Sequence, residues 1–409
     1  MAQAVASVAS QAIGEAHSLL LAVLAQLKLK RKCRTCLTVR SASYQLSSEW
    51  EFPPESKQVS MADQHYRMRM LCAGFLALLW ASALTASAQV ATAKDAVLEE
   101  RYPQPRVTFA GGVVGLPDLT YSTIPGYRQL KLDLYLPPGK TTSARPMVIY
   151  LAGGGWLADR PRNAGAFEDW PGVFASLAKK GYVVASIRYR LSGEARFPAA
   201  EHDTKTAIRW LRANAAKYGI DKNRVVIWGS SAGGQLAALA AVSCKDPAPP
   251  AAPSGAQSES ASRVEESDCV QGAVIWYGIF DFEQMGPPPT AEGTNTSDRP
   301  DAASQFLGCR IAACGPGVAR AASAVSFVDA HDPPMLLIHG SVDRVVPVKQ
   351  SQGFYEVLKA QGVKAELLII PNVDHSFIGK TPEITNAASN KALQKTIEFI
   401  DATIGREAK

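Results

Sequence analysis

The chain has no apolar stretch long enough to cross a bilayer comfortably. The longest candidate, Leu71 to Leu84, is apolar apart from Ser82, and it falls short of the ~20 residues that a transmembrane helix needs. An uncleaved anchor helix is therefore disfavoured, and we expect no stable membrane span. With 47% hydrophobic and 20% charged residues, the composition is that of an ordinary water-soluble globular protein.

A strong positive charge is also missing from most of the chain. Of the formal net charge of +6, residues 1–88 supply +4, with nine Lys or Arg against five Asp or Glu. The remaining chain carries only about +2, and its basic residues are scattered. Binding to a phosphate backbone needs a concentrated basic patch, so we exclude a nucleic-acid partner.

Metal-ligand motifs are scarce as well. Cys33 and Cys36 form a single CxxC, and no second cysteine or histidine pair stands at zinc-finger spacing. We therefore predict no metal site.

The N-terminal region has the features of a targeting segment. Arg67 and Arg69 precede the apolar run, and the small residues 86–88 follow it just before Gln89. This pattern predicts a secretory signal peptide over residues 61–88, and hence a periplasmic or secreted protein. We take Met61 as the expected start and residues 1–60 as a non-native or disordered extension. The alternative for residues 1–60 is an amphipathic segment that lies on a membrane surface.

Four cysteines remain after the predicted cleavage site: Cys244, Cys269, Cys309 and Cys314. An even number in an oxidising compartment predicts two disulfides. Order along the chain favours Cys244 with Cys269 and Cys309 with Cys314, although four cysteines allow three pairings and free buried thiols are the alternative. The first pairing would contribute ~3 kcal/mol by the chain-entropy model, because the segment it encloses has little else to hold it.

From Val107 onward, short apolar or β-branched runs alternate with longer helical patterns. This alternation predicts an α/β protein with a mostly parallel central sheet flanked by helices. Most of the runs are continuously apolar, as in strands buried on both faces. The predicted strands are Leu130 to Leu136, Met147 to Leu151, Tyr182 to Ile187, Val225 to Trp228, Ala273 to Tyr277, Met335 to Ile338 and Ala365 to Ile370.

The predicted helices occupy the intervals between the strands. Gly219 is expected to end the second helix in the left-handed conformation that favours glycine. The predicted helices are Ala166 to Lys180, Ala199 to Tyr218, Ala232 to Val242, Lys349 to Ala360 and Asn390 to Ile404.

The most specific motif is the run WGSSAGG at residues 228–234. It is a GxSxG sequence that follows a predicted strand and opens a predicted helix. In this context Ser231 occupies a strained turn where only small neighbours fit. Its hydroxyl lies at a helix N-terminus, where the dipole favours developing negative charge. We predict that Ser231 is a nucleophile rather than a small residue that packs a turn.

A serine hydroxyl needs a base within hydrogen-bond reach before it can attack. His375 is the candidate, because it lies in a polar loop between the last predicted strand and the last predicted helix. His331 and His339 are expected to satisfy local backbone groups, and His202 is expected to face solvent.

The base in turn needs an acid that orients it and stabilises the imidazolium. Asp343 follows the strand Met335 to Ile338 and gives the chain order Ser, Asp, His. One rival is Asp374, which is adjacent to His375, so that the two side chains would point apart. The other rival is Asp281, after the preceding strand. A plain surface position is the remaining alternative for Asp343.

Three glycines precede Trp156 just beyond the strand that ends at Leu151. They leave the backbone open enough for its amides to face a substrate. The amides of Gly154, Gly155 and Ala232 would then form a three-donor oxyanion hole. A glycine triplet alone is most often a turn, so its position carries this prediction.

From about Arg128 to Ile404 the chain resembles the bacterial esterase/lipase group of α/β hydrolases, which includes hormone-sensitive-lipase-like and feruloyl-esterase-like enzymes. The likeness rests on the glycine triplet with Trp156, the stretch 197–212, the Ser231 turn, and the loops of Asp343 and His375. It implies the α/β-hydrolase fold and hydrolysis of a small carboxylic ester through an acyl-serine intermediate. It also implies the absence of a cofactor and a place for Trp156 in substrate binding.

One position departs from the family pattern. Ala152 stands where these enzymes usually have a histidine that orders the glycine loop through hydrogen bonds. The resemblance therefore implies the same chemistry with a looser oxyanion hole.

Two stretches break the alternation within the single domain that we expect over residues 89–409. Residues 245–268 are rich in Pro, Ala, Ser and acids, which predicts a flexible solvated loop. Residues 282–323 are rich in Gly and Pro and contain the second cysteine pair. They lie where a hydrolase would carry part of a lid on the substrate side.

Two other functions are compatible with the same residues. A serine peptidase of this fold uses the same triad, although the long N-terminal propeller usual in such peptidases is missing. A catalytically silent binding protein that kept the fold is supported by Ala152 alone. The sequence does not define the acyl group, the alcohol or the oligomeric state, and short-acyl, feruloyl and acetyl esters follow from the resemblance only.

Overall fold

The structure is a computed structural model that describes residues 104–139, 143–244, 266–285 and 301–405. The N-terminal extension, the CxxC and the predicted signal peptide lie outside these ranges, as do most of the predicted loop 245–268 and residues 286–300 of the predicted lid. Over the described ranges, no helix has both the length and the apolar character that a membrane span requires.

Nine strands of the described chain form one sheet in the order β1-β2-β3-β5-β4-β6-β7-β8-β9. Strand β3 runs antiparallel to its neighbours β2 and β5, whereas β5, β4, β6, β7, β8 and β9 pair in parallel. The predicted mostly parallel sheet is confirmed. The strands are β1 (Val107–Thr108), β2 (Val114–Ser122), β3 (Leu130–Leu136), β4 (Arg145–Leu151), β5 (Val183–Ile187), β6 (Ile220–Ser230), β7 (Gly272–Trp276), β8 (Met335–Gly340) and β9 (Ala365–Ile370).

Eight α-helices of the described chain connect or follow these strands. They are α1 (Trp170–Lys179), α2 (Ala199–Ala213), α3 (Ala215–Tyr218), α4 (Ala232–Val242), α5 (Ala302–Leu307), α6 (Pro316–Ala322), α7 (Lys349–Ala360) and α8 (Pro382–Ile404). Short 3-10 helices are formed by Ile311–Ala313, Ala324–Ser326 and His375–Phe377.

The central strands are buried on both faces because helices cover both. Along β4, Met147, Ile149 and Leu151 belong to one apolar cluster with residues of α2, α4 and α7. Val148 and Tyr150, which point to the opposite face, belong to a second cluster with residues of α1 and α8. The domain therefore consists of three layers, which explains why the central strands appear in the sequence as continuous apolar runs.

The seven predicted strands are all present, but β1 and β2 were not predicted. In β2, Pro117 and the positive φ of Asp118 interrupt the apolar alternation, and the register shifts between Leu116 and Leu119. A strand with such a bulge lacks the period of two on which the sequence prediction depended.

The predicted helix 199–218 is broken at Asn214 into α2 and α3. Gly219 ends α3 with φ 69° in the left-handed region, which confirms the prediction for this residue. Helix α8 begins at Pro382, earlier than predicted, because Thr381 caps it by accepting a hydrogen bond from the amide of Ile384.

Two disulfides join the cysteines in the pairs that chain order favours. Cys244, just after α4, is bonded to Cys269, just before β7, and Cys309 is bonded to Cys314 in the loop after α5. Helix α2 also holds the segment of Cys269, since the Arg212 guanidinium donates to the carbonyl oxygens of Ser267 and Cys269.

The parallel strands β4, β6, β8 and β9 end at the same edge of the sheet. The segments that follow them contain the glycine triplet, Ser231, Asp343 and His375. Side chains at the carboxyl ends of neighbouring parallel strands lie close together, and this edge is where the site is found.

Candidate active site

Ser231 lies in the abrupt turn between β6 and α4. Its backbone adopts φ 52° and ψ −121°, a conformation that L-residues rarely take. The turn depends on glycine at two positions. A Cβ on Gly229 would lie 2.1 Å from the carbonyl oxygen of Gly233, and one on Gly233 would lie 2.2 Å from that of Leu151. These are the steric features of the strained elbow that the sequence predicts at Ser231.

His375 is the first residue of the 3-10 helix that follows β9. Its Nε2 lies 3.0 Å from the Oγ of Ser231. The ring of Tyr277 packs edge-on against the imidazole, with 4.7 Å between ring centroids. The imidazole is thus held within hydrogen-bond reach of the serine hydroxyl.

Asp343 completes the hydrogen-bonded chain. Its Oδ2 lies 2.8 Å from the Nδ1 of His375, while its Oδ1 accepts hydrogen bonds from the amides of Val345 and Val346. Burial by itself would raise the pKa of Asp343. The hydrogen bonds from His339, His375 and the backbone outweigh burial and hold this pKa well below its ordinary value. The buried carboxylate is therefore charged wherever the protein is folded near neutral pH.

His339 is a part of the site that sequence reasoning did not assign. It is the penultimate residue of β8, its side chain is fully buried, and its Nε2 lies 2.9 Å from the carbonyl oxygen of Val346 and 3.2 Å from the Oδ2 of Asp343. Its Nδ1 lies 2.7 Å from the Oγ of Ser351. The expectation that His339 satisfies a local backbone group is correct, but the contact with Asp343 is additional. A histidine four residues before the candidate acid was the only sequence signal for it.

Neither rival carboxylate is hydrogen-bonded to the imidazole of His375, whose nitrogens face Asp343 and Ser231. The carboxylate of Asp374 accepts hydrogen bonds from the guanidinium and amide of Arg344 and from the backbone amide of His375. The carboxylate of Asp281 accepts hydrogen bonds from the amides of Glu283 and of the Gln284 side chain. Asp343 is the acid that the structure places beside the imidazole.

The glycine triplet lies directly against the nucleophile. A Cβ on Gly153 would come within 3.0 Å of the Cβ of Ser231. Gly154 and Gly155 have φ of 140° and 62°, which only glycine adopts readily. Ala232 is the first residue of α4, where backbone amides have no acceptor within the helix. The amides predicted to form the oxyanion hole therefore belong to two segments that meet at Ser231.

The side chain of Trp156 is packed in the apolar core. Its side chain is 2% exposed, its Nε1 donates to the Oε1 of Gln235, and its ring stacks on Phe306 with 4.4 Å between centroids. In this position the indole supports the glycine loop from the core, and substrate contact through its ring would require it to leave that packing.

Among the described residues, no group of three or more His, Cys, Asp or Glu side chains is arranged to hold a metal ion. The site contains a serine hydroxyl, an imidazole and a buried carboxylate joined by hydrogen bonds. The fold and this arrangement together define the class: the protein is an α/β hydrolase.

Comparison with known proteins defines the family. The family BD-FAE matches residues 132–358, more than half of the chain, and the chain belongs to it. Esterase LipC of Mycobacterium tuberculosis is 34% identical over 248 residues, covering 60% of this chain and 56% of that esterase. Esterase LipQ of the same organism is 32% identical over 266 residues, covering 64% of this chain and 56% of its own length. The chain thus spans a little over half the length of these curated relatives.

Among solved structures, a truncated carbohydrate esterase from gut microbiota is similar to this chain, with a TM-score of 0.57 and 26% identity. The match covers 71% of this chain and 96% of that one.

Proposed function

We propose that the protein is a serine hydrolase of carboxylic esters that acts through an acyl-serine intermediate. The observation that carries the proposal is the unbroken chain of hydrogen bonds from the Ser231 Oγ through His375 to the buried carboxylate of Asp343, built on a strained elbow. The names of LipC and LipQ, both esterases, support the same reaction class.

In the proposed reaction, the Oγ of Ser231 attacks the carbonyl carbon of the ester while the Nε2 of His375 takes the hydroxyl proton. The negative charge moves to the carbonyl oxygen, where the amides of Gly154, Gly155 and Ala232 stabilise it. The tetrahedral intermediate then expels the alcohol, which receives the proton from His375. Water then attacks the acyl carbon while His375 takes a proton from it. His375 returns this proton to the Oγ of Ser231 as the carboxylic acid leaves, which restores the free serine.

Asp343 keeps one imidazole tautomer throughout this cycle. Since its carboxylate accepts the Nδ1–H of His375, the Nε2 lone pair faces the serine hydroxyl. The depressed pKa of Asp343 means that the carboxylate stays ionised and stabilises the imidazolium that forms in each step.

For the substrate we propose small or short-acyl esters, with feruloyl and acetyl esters as the first natural classes to test. The BD-FAE family and the carbohydrate esterase support this choice. The site adds a steric argument: a Cβ on Gly155 would lie 3.2 Å from the Cβ of Ala302, so the start of α5 forms a wall close to the proposed oxyanion hole.

We also propose that the protein works outside the cytoplasm. The predicted signal peptide supports this proposal, and so do the two disulfides, which persist in oxidising compartments.

The reaction is tested with Ser231→Ala on p-nitrophenyl acetate and with a fluorophosphonate probe that labels activated serines. We expect the wild type to hydrolyse the ester and to be labelled, and the variant to lose both properties. Ser176→Ala, which changes an exposed hydroxyl on α1, is the control and should keep both. Full activity in Ser231→Ala, or an inactive and unlabelled wild type, would reject the proposal.

The substrate class is tested on the wild type with p-nitrophenyl esters of increasing acyl length, followed by methyl ferulate and acetylated xylose. We expect kcat/KM to fall as the acyl chain lengthens. A maximum at long acyl chains would overturn the short-acyl assignment while leaving the reaction class intact.

A further inference from the structure

The residue before the nucleophile has a buried hydroxyl that the proposed mechanism does not use. Ser230 is the last residue of β6 and is 3% exposed. The GxSxG pattern places no requirement on this position. A serine here could simply pack the turn, so its partners decide whether the hydroxyl has a further role.

Two polar groups contact the Oγ of Ser230. The backbone amide of Gly153 donates to it across 3.2 Å. The hydroxyl of Tyr150 lies 3.0 Å away. These partners come from β4 and from the glycine loop that follows it.

A hydroxyl can donate one hydrogen bond and accept two. The Gly153 amide can only donate, so the Ser230 oxygen accepts from it, while the bond between Ser230 and Tyr150 can run in either direction. Burial raises the pKa of Tyr150 well above its ordinary value. This phenol therefore stays neutral near physiological pH, and the arrangement does not change with pH in that range.

These contacts fix the glycine loop at its first residue. The carbonyl oxygen of Ala152 accepts a hydrogen bond of 2.9 Å from the hydroxyl of Tyr189, and the next polar group along the backbone, the Gly153 amide, is held by Ser230. The Ala152 side chain is a methyl group and can make no polar contact of its own. The loop is thus anchored immediately before Gly154 and Gly155, whose amides are the proposed oxyanion donors.

We propose that Ser230 is the positioning residue of the oxyanion hole, acting by holding the Gly153 amide so that the next two amides face the reacting carbonyl. This inference rests on the proposed ester hydrolysis. It assigns to a serine on β6 the ordering role for which Ala152 has no polar group.

The test compares wild type, Ser230→Ala and Ser176→Ala, each normalised to the concentration of active serine by fluorophosphonate titration. We expect kcat for p-nitrophenyl acetate to fall roughly 10- to 100-fold in Ser230→Ala, less than the ~100- to 1000-fold loss when a whole oxyanion donor is removed. KM should change little, because the contact matters chiefly when charge develops on the carbonyl oxygen.

A second measurement separates positioning of the hole from general loosening of the site. A trifluoromethyl ketone adds to the nucleophile and places an oxyanion in the hole, so its inhibition constant should weaken by about the same factor as kcat/KM. Acetate is a reaction product that binds without forming a tetrahedral oxyanion. Its inhibition constant in Ser230→Ala should therefore stay within about twofold of the wild-type value. The pKa seen in the pH profile of kcat/KM should also stay unchanged, since the hydroxyls of Ser230 and Tyr150 are neutral.

Tyr150→Phe keeps the ring and removes one partner of Ser230. We expect Tyr150→Phe to lower kcat and ketone affinity less than Ser230→Ala does. The double variant that combines both changes should lose less than the product of the two single losses. If Ser230→Ala fails to fold, Tyr150→Phe alone carries the test.

Unchanged kcat with unchanged ketone affinity would overturn the inference. So would a lower kcat accompanied by a shifted kinetic pKa, which would assign the effect to His375. An inactive wild type would instead reject the proposed function, so the two failures are distinguishable.

Discussion

At the scale of single residues, three groups contact the imidazole that we propose as the base. His375 contacts the Ser231 hydroxyl, the Asp343 carboxylate and the ring of Tyr277. Two backbone amides and His339 surround the carboxylate of Asp343, the proposed acid. When this carboxylate accepts the Nδ1–H of His375, the Nε2 lone pair faces the serine hydroxyl, as the proposed proton transfer requires.

Asp343→Asn tests whether this carboxylate serves the base. The amide keeps the shape of the side chain but favours the wrong imidazole tautomer, so we expect kcat to fall roughly 10³- to 10⁴-fold with KM little changed. Initial rates with p-nitrophenyl acetate measure both constants. Asp281→Asn is the control, because the Asp281 carboxylate accepts hydrogen bonds from Glu283 and Gln284 in its own turn. This variant should retain nearly all activity. A loss comparable to that of Asp343→Asn would refute the assignment of the acid.

The sequence pointed to Ser231, Asp343 and His375, which the structure brings within hydrogen-bond distance, because each follows an apolar strand and the strands end at one edge. Their catalytic roles stay a prediction. The sequence was insufficient for His339 and Ser230. Their partners are distant in the chain or belong to the backbone, and a contact such as that between Ser230 and Gly153 leaves no periodic signal. The burial of Trp156 was likewise missed, because Phe306 comes from a segment whose path the composition did not reveal.

At the scale of elements, the close approach of α4 to β4 determines the shape of the elbow. Gly233, in the first turn of α4, lies so near the end of β4 that an added Cβ would meet the carbonyl oxygens of Leu151 and Ala152 at 2.2 and 2.6 Å. A backbone atom cannot yield as a flexible side chain can. Helix and strand must therefore separate, or the glycine loop must move, if this residue gains a side chain.

Gly233→Ala should consequently lose stability and activity together. We expect a destabilisation of about 2–4 kcal/mol, within the range for overpacked cores. The melting temperature, followed by circular dichroism, and the rate with p-nitrophenyl acetate measure the two effects. Gly193→Ala is the matched control, because a Cβ there has no neighbour within 4 Å. Equal melting temperatures for the two variants would contradict the steric argument.

Helix α2 contains a buried ion pair whose charge depends on pH. Glu201 and Lys205 lie one turn apart with 3.6 Å between Oε1 and Nζ, and the ammonium also donates to the carbonyl oxygen of Ser243. Burial raises the pKa of Glu201 to about 7, although Lys205 acts in the opposite direction. The folded protein therefore binds a proton here that the unfolded chain has released.

The sign of the pH effect follows from this difference. Between the unfolded pKa of 4.5 and the folded value, the folded state holds more protons, so stability from this group falls as pH rises. Glu201→Gln cannot ionise, so its stability relative to wild type should rise by roughly 1–3 kcal/mol between pH 5 and pH 7.5. Urea unfolding at both pH values measures the difference, and a difference that does not change with pH would rule the effect out.

Strands and helices with a regular pattern of apolar residues were predicted to within a few residues. The strands β3 and β9 and the helices α4 and α7 have the predicted bounds. The failures occur where local chemistry replaces the period. Strand β2 contains a proline and a residue of positive φ, and the break between α2 and α3 falls at Asn214, whose side chain donates to the carbonyl oxygen of Trp210. Such breaks depend on one hydrogen bond or one dihedral angle, which the apolar period of a sequence does not report.

At the scale of the whole molecule, the two disulfides stabilise different parts of the domain. The bond between Cys244 and Cys269 closes the chain between α4 and β7, behind the site, with a sequence separation of 25. The bond between Cys309 and Cys314, with a separation of 5, fixes the loop after α5, whose Phe306 stacks on Trp156. One bond thus stabilises the domain, and the other adjoins the wall of the proposed substrate site.

Replacing both cysteines of one disulfide by serine, in two separate variants, should show a different effect for each bond. Loss of the Cys244–Cys269 bond should lower the free energy of unfolding by about 3 kcal/mol, and loss of the Cys309–Cys314 bond by about 2 kcal/mol, because the shorter loop restricts the unfolded chain less. The second variant should in addition change the ratio of kcat/KM for acetyl and butyryl esters, since α5 borders Gly155, whereas the first should leave it unaltered. Non-reducing urea unfolding and the two ester rates supply the measurements. A change of ester preference in the Cys244–Cys269 variant, with none in the other, would show that α5 does not shape the substrate site.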